Sequence, residues 1–547
     1  MQVSADTATE FDYIVVGAGT AGCVLAARLS ENPSHRVCLI EAGGSEQHPF
    51  IRIPAAVGAA IMSRRFGWNL CTTPQSALFD RVIPLPRGRV LGGSGSINGM
   101  AYYRGSARDY DDWAAAGNRG WSYAELLPYF RRSEDNPHYA GSPFHGVGGP
   151  LRVSFVERPN PLCEAFNTAM QAAGFPACAD FNVAEPEGYG YRQGTLRDGQ
   201  RDSTARAYLR PALTRPGLQV LTHCQARRLL LDGTRVTGVE VQLGAERRVL
   251  RATAEVLLCA GAFHSPHLLL HSGIGDSDPL RRTGIAPRHH LPGVGRELTD
   301  HPACVVAMDT RDSTSYGLSW RAALRNLGAG LDYLVARRGP LASNLFETNA
   351  YVKSLPGLDR PDLQVVFQPA RRNPQPFPLP LGHGYAISVV CLYPESRGNV
   401  WVSSSDPLSL PRIDPALGSA RSDIDTLRRG LMLARRVLSH PAFARYAAHE
   451  RLPGTGIHSE GDLEHYVRRS LATVHHPGST CRMGVDDAAV VDPALRVRGL
   501  EGLRIADASI YPRLVGGNTN ASVVAIAEKA ADLVLGRSPP PPENPPR

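Results

Sequence analysis

Paired cysteines and long apolar runs are both missing from this sequence of 547 residues. Its ten cysteines form no CxxC pair, so neither a disulfide framework nor a zinc ribbon is predicted, and a reducing compartment is indicated. No run of about 18 apolar residues occurs, so no transmembrane helix is expected. The N-terminal residues have neither a basic start nor an apolar stretch, so a secretory signal peptide is not predicted.

Lysine is almost absent as well. The 59 basic residues include only Lys353 and Lys529 as lysines, and the arginines are scattered among acidic residues. A nucleic-acid-binding protein concentrates its basic residues on one face or helix, so the net charge of +8 predicts no nucleic-acid partner. The hydrophobic content of 43% and the length predict a globular protein with more than one domain.

A glycine-rich turn near the N-terminus separates a predicted strand from a predicted helix. Residues 11–16, FDYIVV, are typical of a buried strand, and the helix-like CVLAARLSE follows the turn GAGTAG. In this turn Gly17 permits a tight bend, Gly19 lets the backbone approach a pyrophosphate, and Gly22 lets helix and strand pack closely. The helix N-terminus would face the negative charge of the ligand.

An acidic residue follows at the spacing expected of a dinucleotide site. Glu41 ends the second predicted strand, 19 residues after Gly22. This is close to the spacing of about 20 residues typical of a carboxylate that binds a ribose hydroxyl. A glutamate at this point argues against the 2′-phosphate of NADP. The pattern therefore predicts a site for FAD or NAD and leaves both open.

Five motifs further along the chain carry a family resemblance. They are RGRVLGGSGSINGMAYYRG from residue 87, GAFHSPHLLLHSGIG at 261–275, LPGVGRELTDHP at 291–302, VHHPGSTCRMG at 474–484 and GLRIADASIYPRLVGGNTNASVVAIAEKAADL from residue 502. In this order they resemble the glucose–methanol–choline (GMC) oxidoreductases, which are FAD enzymes. The resemblance runs from about residue 11 to 535 and looks nearest to the choline-dehydrogenase-like bacterial branch.

The resemblance implies an α/β fold with two domains. A Rossmann-like FAD-binding domain would comprise residues 1–155, 200–300 and 455–535. A substrate-binding domain, with a mostly antiparallel sheet flanked by helices, would comprise residues 156–199 and 301–454. The proline-rich end, residues 536–547, is predicted from its composition to be a disordered tail.

The resemblance also implies which residues contact FAD. Some family members attach FAD covalently through a histidine that precedes the motif asparagine. Here Ile97 occupies that position, so non-covalent FAD is predicted. The expected contacts are Gly17, Gly19, Thr20, Ala21, Gly22, Glu41, Ala42, Trp68, Val90, Gly95, Asn98, Gly99, Met100, Ala101, Ala226, Asp507, Ala508, Asn518 and Thr519.

Two adjacent histidines in VHHPGSTCRMG are the candidates for a catalytic base. By the resemblance the base is His476, directly before Pro477, and its partner is Asn518. His475 is expected to support or pack, and Cys481 to pack. A metal site of His475, His476 and Cys481 is not predicted, because adjacent strand-like residues point apart and no second ligand cluster has zinc-like spacing.

These predictions together describe FAD-dependent oxidation of a primary alcohol to the aldehyde. A histidine takes the hydroxyl proton, flavin N5 takes the hydride, and O2 or a quinone- or dye-type acceptor reoxidises the flavin. The alternative is a hydroxynitrile lyase that uses the same scaffold without redox turnover. The expected location is cytoplasmic, peripheral to a membrane if the enzyme is a dehydrogenase, and the oligomeric state is left open.

The expected substrate is an apolar alcohol, aliphatic or aromatic, rather than choline. A trimethylammonium group requires an aromatic cage and a carboxylate. In choline-oxidising relatives an acid is expected just after the DHP motif, and here Ala303 follows Pro302. The apolar, proline-rich segment 373–382 is consistent with an apolar substrate.

Overall fold

Two seven-stranded sheets organise the residues that the computed structural model describes, which are 9–372, 381–446 and 448–545. The first sheet is parallel at its centre and continues into an antiparallel hairpin. Its strands lie in the order Leu218–Leu221, Val37–Ile40, Glu10–Val16, Glu246–Leu258, Arg235–Leu243 and Cys224–Asp232, with Leu503–Ile505 added beside Glu246–Leu258.

The central strands are short apolar runs because both faces of a parallel sheet are covered. All four residues of Val37–Ile40 are buried. On one face lie the helix Thr20–Leu29, which directly follows the predicted glycine turn, and the helix Asn520–Val534, which packs against it. The C-terminal segment therefore completes the first sheet and its helical cover.

The second sheet is antiparallel and carries its own hydrophobic core. Its strands lie in the order His449–Leu452, Pro302–Thr310, His383–Cys391, Leu363–Gln368, Thr348–Val352 and Gly188–Tyr191, with Ala472–Thr473 added beside Pro302–Thr310. Helices Pro161–Ala172 and Arg421–Leu438 cover one face of this sheet. The predicted α/β fold, with a mostly antiparallel second sheet flanked by helices, is confirmed.

The remaining α-helices and short strand pairs lie outside the two sheets. The helices of six or more residues are Val57–Met62, Ala107–Ala115, Tyr123–Ser133, Gly261–His271, Ser277–Arg282, Ala323–Ala336 and Glu460–Ser470. Short strand pairs are Leu70–Cys71 with Pro84–Leu85, Glu134–Asp135 with Leu151–Arg152, Leu196–Arg197 with Gln200–Arg201, Ile274–Gly275 with His289–His290, and Asn399–Trp401 with Arg412–Asp414. No helix in the described part of the chain is both long and apolar enough to cross a membrane.

The C-terminal tail differs from the sequence-based expectation over its described residues. Residues 536–545 form neither helix nor strand. Nevertheless, the Glu543 backbone N–H donates to the Ala124 carbonyl at 2.9 Å, and the Glu543 carboxylate pairs with Arg131. The tail therefore lies against helix Tyr123–Ser133 instead of extending freely into solvent, because an acidic side chain among its prolines finds a cation on that helix.

Candidate active site

The loop that carries His476 follows strand Ala472–Thr473 and is anchored through its backbone. The His476 N–H donates to Asp300 Oδ1 at 2.7 Å, and Arg87 donates to the His475 carbonyl at 2.6 Å. Thr299 and Gly478 exchange two backbone hydrogen bonds. His475 itself has a left-handed backbone, with φ +66°. This bend turns the two neighbouring histidine rings toward different surroundings.

The His476 ring lies between an amide and a second histidine. Its Nε2 is 3.1 Å from Asn518 Nδ2, and its Nδ1 is 3.1 Å from His301 Nδ1. The other nitrogen of His301, Nε2, is 3.0 Å from the Leu392 carbonyl oxygen. The structure thus brings the two predicted catalytic residues, His476 and Asn518, within hydrogen-bond distance.

The hydrogen-bond partners assign the tautomers of both rings. A carbonyl oxygen only accepts, so the proton of a neutral His301 lies on Nε2 and its Nδ1 accepts. His476 must then donate from Nδ1, which leaves the lone pair on its Nε2. Asn518 Nδ2 donates toward that lone pair. The chain of hydrogen bonds that begins at Leu392 therefore presents His476 as a base on the side facing Asn518.

Both histidines are neutral at physiological pH. Burial lowers the pKa of His476 well below its ordinary value, and the nearby His301 and Arg87 lower it further. Burial lowers the pKa of His301 to about 4. A neutral imidazole is the form that can accept a proton. His301 was not among the residues predicted from the sequence, although it is the histidine of the DHP motif.

His475 is directed away from this network. Its Nδ1 is 3.1 Å from Thr473 Oγ1, and its backbone N–H donates to the same oxygen at 3.0 Å. Cys481 is buried, and its N–H donates to the Ser509 carbonyl. The described residues contain no group of three or more His, Cys, Asp or Glu side chains arranged to hold a metal ion.

A cradle of glycine-rich backbone lies on the other side of Asn518. We use "glycine cradle" for Gly17–Gly22 together with the turn Gly92–Ser96. A Cβ atom on Gly22 would lie 1.9 Å from the Gly17 carbonyl oxygen, and one on Gly93 would lie 2.7 Å from Gly19 Cα. The two turns are therefore in backbone contact. Thr20 Oγ1 donates to Asn520 Oδ1 at 2.8 Å, which ties the cradle to the segment that carries Asn518 and Thr519.

Glu41 lies beside the cradle with its carboxylate buried. Its two oxygens accept backbone N–H groups of Ala18 and Gly43, at 3.0 and 2.8 Å. Burial raises the pKa of Glu41 to about 7, even though these bonds act against the shift. Within the described ranges no cation forms an ion pair with this buried carboxylate, which fits hydroxyl donors such as those of a ribose. The adjacent Ala42 is partly exposed.

Residues 88–101, called here the flavin-side loop because the family resemblance implies that they contact FAD, are folded on themselves by Asn98. Asn98 Oδ1 accepts from the Met100 N–H at 2.9 Å and from Arg201 Nη1 at 2.7 Å. The Met100 carbonyl accepts from Thr195. Because the Met100 side chain is also buried, this residue shapes the loop from within.

Two further side chains of this loop are packed into apolar surroundings. Val90 and Ile97 are 1% and 3% exposed and share a cluster with Ile51, Ala60 and Phe66. Val90 can therefore reach a ligand only through its backbone. Gly95 lies next to Thr20, since a Cβ on Gly95 would be 2.8 Å from Thr20 Oγ1.

The remaining residues predicted to contact FAD are bonded to, or packed against, other groups of the protein. The Asp507 carboxylate accepts from the Gly261 N–H, the Ser265 hydroxyl and the Ser509 N–H, at 2.8, 2.6 and 2.8 Å. It therefore anchors the start of helix Gly261–His271, and the neighbouring Ala508 carbonyl accepts from Ser479. Ala226 lies on strand Cys224–Asp232, and Trp68 packs on His264 with ring centroids 4.2 Å apart.

An apolar wall lies above His476 on the second sheet. We use "apolar wall" for Ala303, Val366 and Val390, which are buried together, with Phe346 and Val474 packed against them. This is the face of the sheet opposite its covering helices. Val474 is two residues before His476, and Ala303 is two residues after His301. The wall therefore lies on the same two segments of the chain as His301 and His476.

Two features of the site fit a flavin dinucleotide. Asn518 Oδ1 and Arg201 Nη2 are buried atoms without a hydrogen-bond partner among the described residues, and the glycine cradle brings backbone within reach of an oxygen-rich ligand. The glycine cradle, the buried Glu41 carboxylate and the His476–Asn518 pair are consistent with FAD bound beside a proton acceptor. The chain belongs to the GMC oxidoreductase family, whose two models, both described as GMC oxidoreductase, match residues 11–303 and 394–527. It is an FAD-dependent oxidoreductase of the class that acts on CH–OH donors.

Known proteins similar to this chain span almost its whole length. It is 39% identical over 527 residues to the alcohol dehydrogenase [acceptor] of Pseudomonas putida, covering 96% of both chains. It is 40% identical over 544 residues to the oxygen-dependent choline dehydrogenase of Photobacterium profundum, covering 98% of this chain and 95% of the relative. The crystal structure of pyridoxine 4-oxidase from Mesorbium loti is 34% identical, with a TM-score of 0.86 over 96% of this chain and 100% of that one.

Proposed function

We propose that the protein oxidises an apolar primary alcohol to the aldehyde, with His476 as the base. The observation that carries this proposal is the position of His476 Nε2, 3.1 Å from Asn518 Nδ2, with its lone pair directed there by the His301–Leu392 hydrogen bonds. When bound, FAD supplies a hydride acceptor. The names of the relatives above, two dehydrogenases and an oxidase, favour this redox reaction over a lyase.

His476 and Asn518 have different roles in removing the hydroxyl proton of the substrate. The substrate hydroxyl gives its proton to His476 Nε2, and the adjacent carbon loses a hydride, so that a carbonyl remains. Because His476 Nε2 has a single lone pair, the substrate hydroxyl would replace Asn518 Nδ2 as the donor to it, and Asn518 Nδ2 would then donate to the substrate oxygen as negative charge develops there. The imidazolium that forms keeps its Nδ1–H on His301 Nδ1, which holds the ring in place.

The same segments would hold FAD without a covalent bond. The glycine cradle and the N-terminus of helix Thr20–Leu29 fit a pyrophosphate, and Glu41 fits a ribose hydroxyl. Ile97 is 3% exposed in an apolar cluster and offers no nucleophile. Acid precipitation should therefore release the yellow chromophore into the supernatant, whereas flavin retained on the pellet would contradict non-covalent binding.

The apolar wall supports an apolar substrate. Ala303, Val366 and Val390 form a surface with neither a carboxylate nor a cage of aromatic rings for a trimethylammonium group. The segment 373–382, which supports the same conclusion at the level of sequence, lies outside the described residues from 373 to 380. We therefore expect aliphatic or aryl alcohols, and not choline, to reduce the flavin.

An anaerobic alcohol panel tests the proposal. The holoenzyme is mixed with linear aliphatic alcohols, benzyl-type alcohols or choline, and flavin absorbance is followed. Bleaching by the apolar alcohols with aldehyde formation is the expected result. Reoxidation is then measured with O2 and with a quinone-type dye, which distinguishes oxidase from dehydrogenase. Bleaching by choline alone would contradict the substrate assignment, and cyanohydrin cleavage without any bleaching would contradict redox turnover.

A further inference from the structure

The helix Ala323–Ala336 exposes nearly all of its apolar side chains. Of its fourteen residues only Tyr333 is buried. By contrast, helix Arg421–Leu438 buries nine of its residues. A stripe of large apolar side chains, 57–87% exposed, runs along the first helix and the turn before it, and we call it the apolar stripe: Trp320, Leu324, Leu327, Leu331, Leu334 and Val335.

The spacing of the apolar stripe places its members on one side of the helix. Successive members from Trp320 to Leu334 are four, three, four and three residues apart. This spacing keeps side chains on one face of an α-helix. A contiguous exposed apolar face of this kind marks a surface that contacts something else. In the described part of the chain no element covers it.

Basic residues lie at both ends of the stripe. Arg321 and Arg325 are at its start, and Arg337 and Arg338 follow its end. Arg338 pairs with Glu157 at 3.3 Å. Among the described residues no carboxylate forms an ion pair with the other three arginines. Arg321 and Arg325 donate to backbone carbonyl oxygens, and Arg337 lies over the Tyr333 ring.

This charge distribution disfavours a second copy of the chain as the occupant. If two helices packed antiparallel, Arg321 and Arg325 of one would face Arg337 and Arg338 of the other. If they packed parallel, each pair would face itself. Both arrangements bring like charges together. Asp332 is the single acidic residue of the helix, so it could not balance the three arginines that lack an ion pair.

We propose that helix Ala323–Ala336, with Trp320, docks on the surface of an anionic lipid bilayer. An interfacial helix has apolar side chains on one face and basic residues beside them, and both are present here. Leucine side chains would enter the boundary between headgroups and acyl chains, Trp320 would lie at the headgroup level, and the arginines would contact lipid phosphates.

The position of this helix in the chain connects it to the active site. A short turn, Pro340–Ala342, follows it, and the next residues reach the flavin-side loop. Asn344 Nδ2 donates to the Gly99 carbonyl at 3.0 Å, and Phe346 belongs to the apolar wall. A docked helix would therefore place the bilayer a few residues along the chain from the wall, where an apolar alcohol or a lipid-soluble acceptor could be exchanged.

Vesicle flotation of the holoenzyme tests the docking, independently of whether the substrate assignment is right. The enzyme is floated with phosphatidylcholine vesicles that either contain or lack phosphatidylglycerol. Binding is expected with the anionic vesicles and should weaken as salt is added. Replacing Arg321 and Arg325 by glutamine should weaken it roughly fivefold for each arginine.

The double variant Leu327→Asp/Leu331→Asp should bind vesicles about tenfold or more weakly, while keeping its flavin absorbance and its activity with a soluble dye. The matched control is Met432→Asp, which changes a side chain 54% exposed on helix Arg421–Leu438 and should leave vesicle binding unchanged. Absence of flotation, or equal flotation of the double variant, would overturn the proposal. A dimer that the double variant dissociates, without vesicle binding, would assign the stripe to a second copy.

Discussion

The glycine cradle contacts the segment that carries Asn518, and the apolar wall includes Val474 of the loop that carries His476, but the two regions are built differently. The cradle consists of closely packed backbone, where a Cβ added to any of its glycines except Gly19 would lie 1.9–2.8 Å from another main-chain or side-chain atom. The wall consists of apolar side chains on a sheet, and the backbone of that sheet is hydrogen-bonded between neighbouring strands. A change in the cradle therefore displaces main chain, whereas a change in the wall alters only the surface presented to a ligand. Substitutions in the cradle should therefore impair cofactor binding, whereas substitutions in the wall should change which substrate is preferred.

The largest effect is expected at His476. His476→Ala removes the base and should lower the rate of anaerobic flavin reduction by about 10²–10⁴-fold, the usual contribution of a general base. The variant should keep its FAD, because His476 is not part of the cradle. Stopped-flow absorbance measures the rate. A loss of less than tenfold would place the base elsewhere.

In the cradle, Gly22→Ala should weaken FAD binding by roughly 10–10²-fold, the range expected of overpacking. The new Cβ would lie 1.9 Å from the Gly17 carbonyl oxygen, so the helix start must move away from its ligand. Fluorescence titration of apoprotein with FAD measures the change. Gly328→Ala is the control, because an added Cβ there meets nothing within 4 Å. Unchanged affinity in Gly22→Ala would show that the cradle can adapt.

The partner of the base gives a smaller effect with a pH signature. His301→Leu removes the acceptor for His476 Nδ1–H, so the wrong tautomer of His476 becomes populated, and flavin reduction should slow by about 10–10²-fold. In the unmodified enzyme a lowered pKa keeps His476 neutral as pH falls. The rate of flavin reduction should therefore fall on the acid side only below the ordinary histidine pKa of about 6.5. A fall that begins at or above that value would show that another group controls the rate.

In the wall, Val366→Thr should change specificity more than rate. The substitution keeps the shape and adds a hydroxyl to the apolar surface, so kcat/KM for an apolar alcohol should fall by about tenfold. The rate with a small alcohol that does not reach the wall should hardly change. Steady-state kinetics with a short and a long alcohol measures the ratio. Equal losses for both would mean that Val366 acts through the fold.

The smallest effect is expected at His475. Its ring is bonded to Thr473 and not to Asn518, so His475→Ala should change flavin reduction less than about twofold, within the range of a supporting side chain. The same stopped-flow assay as for His476→Ala applies. If the two variants exchanged their effects, the assignment of the base would be shifted by one residue.

The nucleotide-binding half could be predicted because its features are local in sequence. The strand, the turn Gly17–Gly22 and Glu41 all lie within about thirty residues, and each has a composition that its geometry requires. The two sheets also follow the expectation drawn from the ordered motifs, and His476 and Asn518 lie within hydrogen-bond distance while their catalytic roles stay predictions. The cradle's contact with Asn520, in contrast, joins distant segments, and only the fold reveals it.

Other parts of the site could not be predicted because they depend on long-range pairing. His301 becomes a partner of His476 only when strand Pro302–Thr310 pairs with His383–Cys391 and brings the Leu392 carbonyl to its Nε2. The burial of the Val90 side chain likewise depends on Ile51, Ala60 and Phe66, and the Met100 carbonyl accepts from Thr195, all of which lie outside the flavin-side loop itself. The exposed face of helix Ala323–Ala336 has a periodic pattern that sequence alone cannot distinguish from a buried one.

The hydrogen bond between Thr20 and Asn520 also has a consequence for biosynthesis. It joins residues 500 positions apart, and strand Leu503–Ile505 and helix Asn520–Val534 both belong to the first sheet and its cover. A ribosome that has released only the first 500 residues has therefore produced a domain without one strand and one helix. Such a nascent chain exposes apolar surface and depends on chaperones or on rapid completion, so the cofactor can be captured stably only once the final segment has emerged.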